Sequence, residues 1–233
     1  MKYFITFLSF LMLFGMGLFA QQSSVYNYDI HPDKAYQEIH SFGASDSWRV
    51  QFVGENWPLE KRNRIADLLF SLENDKKGNP KGIGLSVWRF YLGAGTKEQG
   101  DSSNIANEWR RSPSFLDAQG HYDWTKYKGQ RWFLDAAQER GVDQFLMYTI
   151  SPPVFYTKNG KGHASKDNRG FNLKPGKYDD YARYIVDVLE HFEKQENFHF
   201  DYISPFNEPQ WDWEESGQEG TPAYNEELYV YMK

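Results

Sequence analysis

One pattern dominates the chain: a short apolar run that reads as a strand, then a stretch with helical periodicity, four times in succession. The runs begin near residues 39, 83, 142 and 200. Such alternation predicts βαβ units and a parallel sheet, because a parallel neighbour is reached only through a crossover. The first run is 39–44. Asn56 then offers a helix cap and Pro58 a first-turn residue. Ile65, Leu68, Leu69 and Leu72 follow at i, i+3, i+4 and i+7, which predicts one buried stripe. Gly78, Asn79 and Pro80 end that helix. The second run, 83–90, leads into a long loop rich in Gly and Ser, then a helix over about 125–140. Gly141 stands where a left-handed residue closes a helix. The third run, 142–150, is largely apolar, as a strand covered on both faces should be. Tyr181, Tyr184, Ile185, Val188, Leu189 and Phe192 make the clearest helical stripe. The fourth run is 200–206, and a last helix starts near Pro222.

The connections are asymmetric. Every long insertion follows a strand, and the turns from helix back to strand are short. A doubly wound sheet would carry a glycine-rich first turn, but Gly43-Ala44-Ser45-Asp46 lacks the dinucleotide pattern. Elaborate strand-to-helix loops instead suit a (β/α)8 barrel, whose site is built from them. The predicted fold is therefore α/β, the N-terminal half (four βα units) of a TIM (β/α)8 barrel. A full barrel needs eight units and roughly 250 residues. Half of one leaves two open sheet edges, and association of the chain is expected if it folds alone.

Residues 1–20 read as a separate object. Lys2 precedes an apolar run that ends at Ala20, and Gln21-Gln22-Ser23-Ser24 is polar. This predicts a secretory signal peptide, with a secreted or periplasmic product and residues 21–233 as a partial catalytic domain. The alternative is an uncleaved N-terminal anchor, since roughly 18 apolar residues can span a bilayer. No membrane partner is expected after signal removal.

Composition narrows the chemistry. The chain has no cysteine, which removes disulfides, thiolate zinc sites and cysteine nucleophiles. A net charge of −6 gives no basic patch for nucleic acid. The six histidines show no metal-ligand spacing. Gly93-Ala94-Gly95-Thr96-Lys97 lacks the spacing of a phosphate loop, and no G-x-S-x-G elbow is present. Neither a metal nor a cofactor is expected.

The sharpest local signal is Ser204-Pro205-Phe206-Asn207-Glu208-Pro209, at the end of the fourth run. A Glu at a strand end, with a proline stiffening the exit, can serve as a fixed acid or base, or can simply begin a loop. Glycoside cleavage needs a proton donor beside the scissile oxygen and a carboxylate opposite. Trp211 and Trp213 follow it, while Trp48, Trp88, Phe155 and Tyr156 lie at or just after other strand ends. Aromatic faces suit the C–H faces of sugars, although each ring alone is equally suited to packing. Asp46, Arg89 and Ser151 also fall at predicted strand ends. Arg89 in a barrel mouth needs a carboxylate partner, and an ion pair with Asp46 is the structural alternative. Asp212, Glu214, Glu215 and Glu219 read as a solvated acidic loop.

These segments together resemble glycoside hydrolase family 30. Ser41-Phe42-Gly43-Ala44-Ser45-Asp46-Ser47-Trp48 is similar to its first strand. Gly84-Leu85-Ser86-Val87-Trp88-Arg89-Phe90, Ser151-Pro152-Pro153 and Ile203 through Pro209 are similar to later ones. Gln51-Phe52-Val53-Gly54, Asn56-Trp57-Pro58-Leu59-Glu60-Lys61-Arg62, Thr157-Lys158-Asn159-Gly160-Lys161-Gly162 and Pro209-Gln210-Trp211-Asp212-Trp213 resemble its endo-β-1,6-galactanase-like branch. The resemblance runs from about residue 28 to the end. It implies a retaining hydrolase acting on a β-linked polysaccharide or oligosaccharide. It implies Glu208 as general acid/base and Asn207 as the contact to the sugar hydroxyl beside the reacting carbon. Arg89, Asp46, Trp48 and Trp211 are expected to bind or orient substrate. The family's nucleophile is a Glu on strand seven, to which no residue here corresponds, so this chain alone is expected to be inactive. Other readings are a non-catalytic glycan-binding remnant, or a hydrolase of β-1,4-xylan or glucosylceramide-like β-glucosides.

Overall fold

The computed structural model describes residues 26–167, 170–214 and 217–232. The expected signal peptide lies outside the described residues. The chain divides into two units, Met1–Ile39 and His40–Lys233. In the first, the described stretch 26–39 carries a turn in which Lys34 N donates to His31 O at 3.1 Å.

The second unit holds β1 (Gly43–Ser45), α1 (Arg49–Asn56), α2 (Leu59–Phe70), β2 (Val87–Leu92), α3 (Lys128–Glu139), β3 (Gln144–Thr149), α4 (Tyr178–Gln195), β4 (Tyr202–Ser204) and α5 (Asn225–Tyr231). The strands form one parallel sheet in the order β1-β2-β3-β4. Sequential parallel order with helical crossovers is what the alternation demands. β3 and β4 lie inside their expected runs, whereas β1 and β2 start later and end one and two residues beyond theirs. Among the described residues no helix is long and apolar enough to cross a membrane.

Registered partners share a face, so side chains sort into two layers. Trp88, Phe90, Leu92, Phe145 and Met147 face the helices and pack with Phe70, Phe133, Leu134, Tyr181, Val188 and Phe192. On the opposite face, Tyr91, Tyr148 and Ile150 form a smaller buried cluster against Trp48 and Leu146. Ser45 pairs with Arg89, and Arg89 with Leu146, which puts the Arg89 side chain on that second face.

The α4 stripe is buried as expected, with Leu189 partly covered. Gly141 closes α3 with φ +91°. Three expectations near the first helix need correction. Asn56 ends α1, a helix the sequence reading did not separate, instead of capping the next. Pro58 sits at the cap of α2 instead of inside its first turn. Of the expected stripe, Ile65 and Leu69 pack partly buried against the core beside fully buried Ala66 and Phe70, whereas Leu68 and Leu72 are 53% and 76% exposed. Ile83, also exposed, donates its N–H to Leu68 O at 2.9 Å. The last helix begins at Asn225, later than expected, with Glu227 accepting the Tyr224 N–H at 2.8 Å.

Candidate active site

The polar groups gather on the second face of the sheet, in mid-β2, and in the segment that follows β4. On β2, the Arg89 guanidinium lies 3.7 Å from the centre of the Tyr148 ring, a cation–π contact from the neighbouring strand. Its Nη2 donates to Asn207 Oδ1 at 3.0 Å. Asn207 Nδ2 points in turn at Glu208 Oε2, at 3.5 Å. Arg89, Asn207 and Glu208 therefore form one connected polar chain across three strands' width. The Tyr148 hydroxyl is fixed by Ser45 Oγ, which donates to it at 2.8 Å, and by Ser47 Oγ at 2.5 Å. Burial pushes the Tyr148 phenol above its usual range, so it stays a neutral donor.

The segment between β4 and Glu208 is held from β3. Thr149 Oγ1 donates to Pro205 O at 2.8 Å and shares a 2.5 Å hydrogen bond with the Tyr181 hydroxyl. Glu208 adopts a left-handed backbone, φ +48°, which is costly for a residue with a Cβ. Its side chain is exposed, as a group that meets a polymeric ligand must be. Trp211 beside it is 65% exposed. Trp48 is half-buried, with Arg110 5.0 Å from its ring centre. A cavity of about 280 Å³ opens between α1 and the loop after β2, and Trp48, Phe52, Lys97, Glu108, Trp109 and Arg111 line it.

Three expectations do not survive in this geometry. Asp46 is fully buried, with its oxygens accepting the Tyr91 N–H at 2.9 Å and the Gln130 amide at 3.0 Å. It braces the β1–β2–α3 junction and cannot reach a ligand from solvent. Burial raises its carboxyl to about 7, against the lowering effects of those two hydrogen bonds and of Arg89. The alternative reading of Arg89, an ion pair with Asp46, gives way to the Asn207 contact. Trp88 lies on the helix side, 4.9 Å from Phe70 between ring centres, and is unavailable as a platform. Glu219 is not solvated at all: it is fully buried, and burial lifts its carboxyl to about 7. A Cβ on Gly162 would stand 3.2 Å from the Glu219 Cγ, so that glycine makes room for the buried side chain. Among the described residues no three His, Asp or Glu side chains are grouped to hold a metal ion.

The model of O-glycosyl hydrolase family 30 matches residues 26–233. The chain belongs to this family. Its α/β fold with a parallel sheet is similar to that of solved family 30 catalytic domains. It is 25% identical over 225 residues to an endo-β-1,6-galactanase of Hypocrea rufa, covering 88% of this chain and 45% of that protein. It is 45% identical, with a TM-score of 0.80, to a conserved exported protein from Bacteroides fragilis, over 87% of this chain and 41% of the other. The catalytic domain of a family 30 xylanase C from Talaromyces cellulolyticus shares the fold, at 21% identity and a TM-score of 0.58, over 87% and 45% of the two chains. The chain spans less than half the length of these relatives.

Proposed function

We propose that the protein is the acid/base half of a retaining β-glycan hydrolase, with β-1,6-galactan as its substrate class. The observation that carries this reading is the Arg89–Asn207–Glu208 chain, which joins the middle of β2 to the segment after β4. Glu208 is the proton donor to the leaving glycosidic oxygen, and in the second step it takes a proton from water. Asn207 is held so that its amide meets the hydroxyl beside the reacting carbon. Arg89, whose charge is kept in the mouth by Tyr148 and Asn207, orients the attacking carboxylate. A retaining mechanism sets that carboxylate roughly 5–5.5 Å from the acid. The family's pattern puts it on a seventh strand, and the four strands here then form the first half of a (β/α)8 barrel. These 233 residues alone are accordingly expected to turn over glycan at a negligible rate.

The aromatic cavity beside Trp48, together with exposed Trp211, supports a polymeric ligand that occupies more than one sugar site. The similarity to an endo-β-1,6-galactanase over most of the chain favours the 1,6-linked galactan. The Bacteroides fragilis relative, an exported protein, supports secretion, in keeping with the apolar N-terminus. The test is a substrate panel on a form of the protein that includes the family's seventh strand. The expected result is a kcat/KM for β-1,6-galactan at least about tenfold above those for β-1,4-xylan and β-glucosides, a difference worth about 1.4 kcal/mol of transition-state binding. A preference for xylan would overturn the substrate assignment.

A further inference from the structure

Glu219 is buried on the segment that follows Glu208, and the reaction proposed above makes no use of it. Three donors from β2 and the loop beyond it converge on its carboxylate. The Tyr91 hydroxyl and the Ala94 N–H (2.9 Å) reach Oε2, and the Thr96 hydroxyl reaches Oε1 at 2.5 Å. A carboxylate so far from water is kept there only by such donors, so the segment is locked to the end of β2 at this point. The neighbouring Gly220 donates its N–H to Gly162 O at 2.8 Å. A Cβ on Gly220 would stand 2.3 Å from the ring of Trp213, so glycine is what lets the indole lie against this backbone. Trp213 is itself buried, and its Nε1–H donates to Glu208 O at 2.9 Å. The same carbonyl takes the Trp211 N–H at 3.0 Å, and the next carbonyl, Pro209 O, takes the Ala223 N–H at 2.9 Å.

The contacts thus run without a gap from β2 through Glu219, Gly220 and Trp213 to the peptide of Glu208. Glu208 and Trp213 both have left-handed backbones, φ +48° and +51°, which persist only where surrounding contacts over-determine them. We propose that Glu219, acting through Gly220 and Trp213, is a positioning residue that holds the Glu208 backbone, and with it the carboxyl, at the mouth of the site. The proposal rests on the reading of Glu208 as proton donor. Arg89 and Asn207 hold the side-chain end of the same residue, so the acid is fixed from two sides. A group that must meet a glycosidic oxygen within hydrogen-bond reach needs both.

The experiment is heteronuclear NMR on the full chain, following the indole N–H of Trp213 and the backbone amides. Glu219→Ala should shift the Trp213 indole signal and speed its solvent exchange about tenfold or more, the loss of one net hydrogen bond. Glu219→Gln should preserve both, because an amide oxygen still accepts from Tyr91 and Ala94. Trp213→Phe keeps a ring on Gly220 and removes the donor. It should move the Glu208 and Trp211 amides and leave Ala94 in place, and it decides the matter if Glu219→Ala fails to fold. An unchanged Trp213 indole in Glu219→Ala, or an unchanged Glu208 amide in Trp213→Phe, overturns the latch. Calorimetry with β-1,6-galactobiose adds the functional readout. Trp213→Phe should weaken binding about tenfold, whereas Ile185→Val, a core change on the helix side, should lower the melting temperature and leave affinity unchanged. Equal affinity in wild type and Trp213→Phe overturns the positioning role. No binding by the wild-type chain overturns the glycan reading and that role with it, while the indole signals still decide whether the latch exists.

Discussion

Asp46 and Glu219 are both buried carboxyls raised to about 7, and the Tyr91 residue bridges them, its N–H on one and its hydroxyl on the other. Their effect on stability has a definite sign. Above pH 4 to 5 the unfolded chain has released these protons, whereas the folded protein keeps them until about pH 7. The unfolded state binds fewer protons across that window, so stability falls as pH rises through it. At about 1.4 kcal/mol per pKa unit, each group contributes up to about 3–5 kcal/mol of that loss, Asp46 the more. Exposed Asp75, Asp117 and Asp123, held low chiefly by local hydrogen bonds, act in the opposite sense only in the acid range. The free energy of unfolding in urea should therefore decline between pH 5 and pH 8, and Asp46→Asn should flatten the decline. A profile that rises through this range would contradict the burial of the pair. Neither carboxyl's environment was legible in the sequence. Asp46 falls at a strand end like a ligand-binding residue, and its burial depends on Gln130, which comes from a helix 84 positions away.

The pairing of α1 with α3 rests on glycine. Backbones cross so closely that a Cβ on Gly54 would stand 2.2 Å from Gly129 O, and one on Gly129 would stand 1.8 Å from Gln51 O. Gln51 completes the junction by accepting the N–H groups of Gly129 and Gln130 at 3.1 Å. Gly129→Ala should destabilise the chain by about 3 kcal/mol, at the upper end of overpacking costs, although alanine is the better helix former. Urea unfolding of the variant checks this, and an unchanged midpoint would refute the close crossing. This junction also shows which elements could be read from sequence. The stripe of α4 and the glycine stop of α3 are local signals, and both stand in the structure. The eight-residue α1 is too short to show a period, and its glycine is fixed by a partner far along the chain. On α2 the expected stripe held in part: Ile65 and Leu69 pack against the core with Ala66 and Phe70, while Leu68 and Leu72 stay exposed. At the site, the connection of Arg89 to Asn207 was open in the sequence, since an ion pair with Asp46 satisfied the same charge.

The whole sheet ends in two unlike edges that share one property. Beside β1, Phe42, Leu68, Leu72 and Ile83 are exposed, and on β4 so are Tyr202 and Ile203. Open parallel edges with apolar flanks seek partners, and in a closed barrel further strands would cover them. The chain by itself should self-associate with rising concentration, and Leu68→Glu with Leu72→Glu should reduce this in sedimentation velocity. A monomer at all concentrations, unchanged by these substitutions, would contradict the view that these flanks await covering. The central claim, that Glu208 moves the proton, is tested most directly by Glu208→Gln in a form of the protein carrying the family's seventh strand. The variant should lose about 10²–10⁴-fold in kcat on β-1,6-galactan, yet keep activity on an aryl β-galactoside whose leaving group needs no proton. Added azide should restore turnover and yield β-galactosyl azide, the retained anomer. Equal losses on both substrates with no azide product, or full activity on galactan, would contradict it.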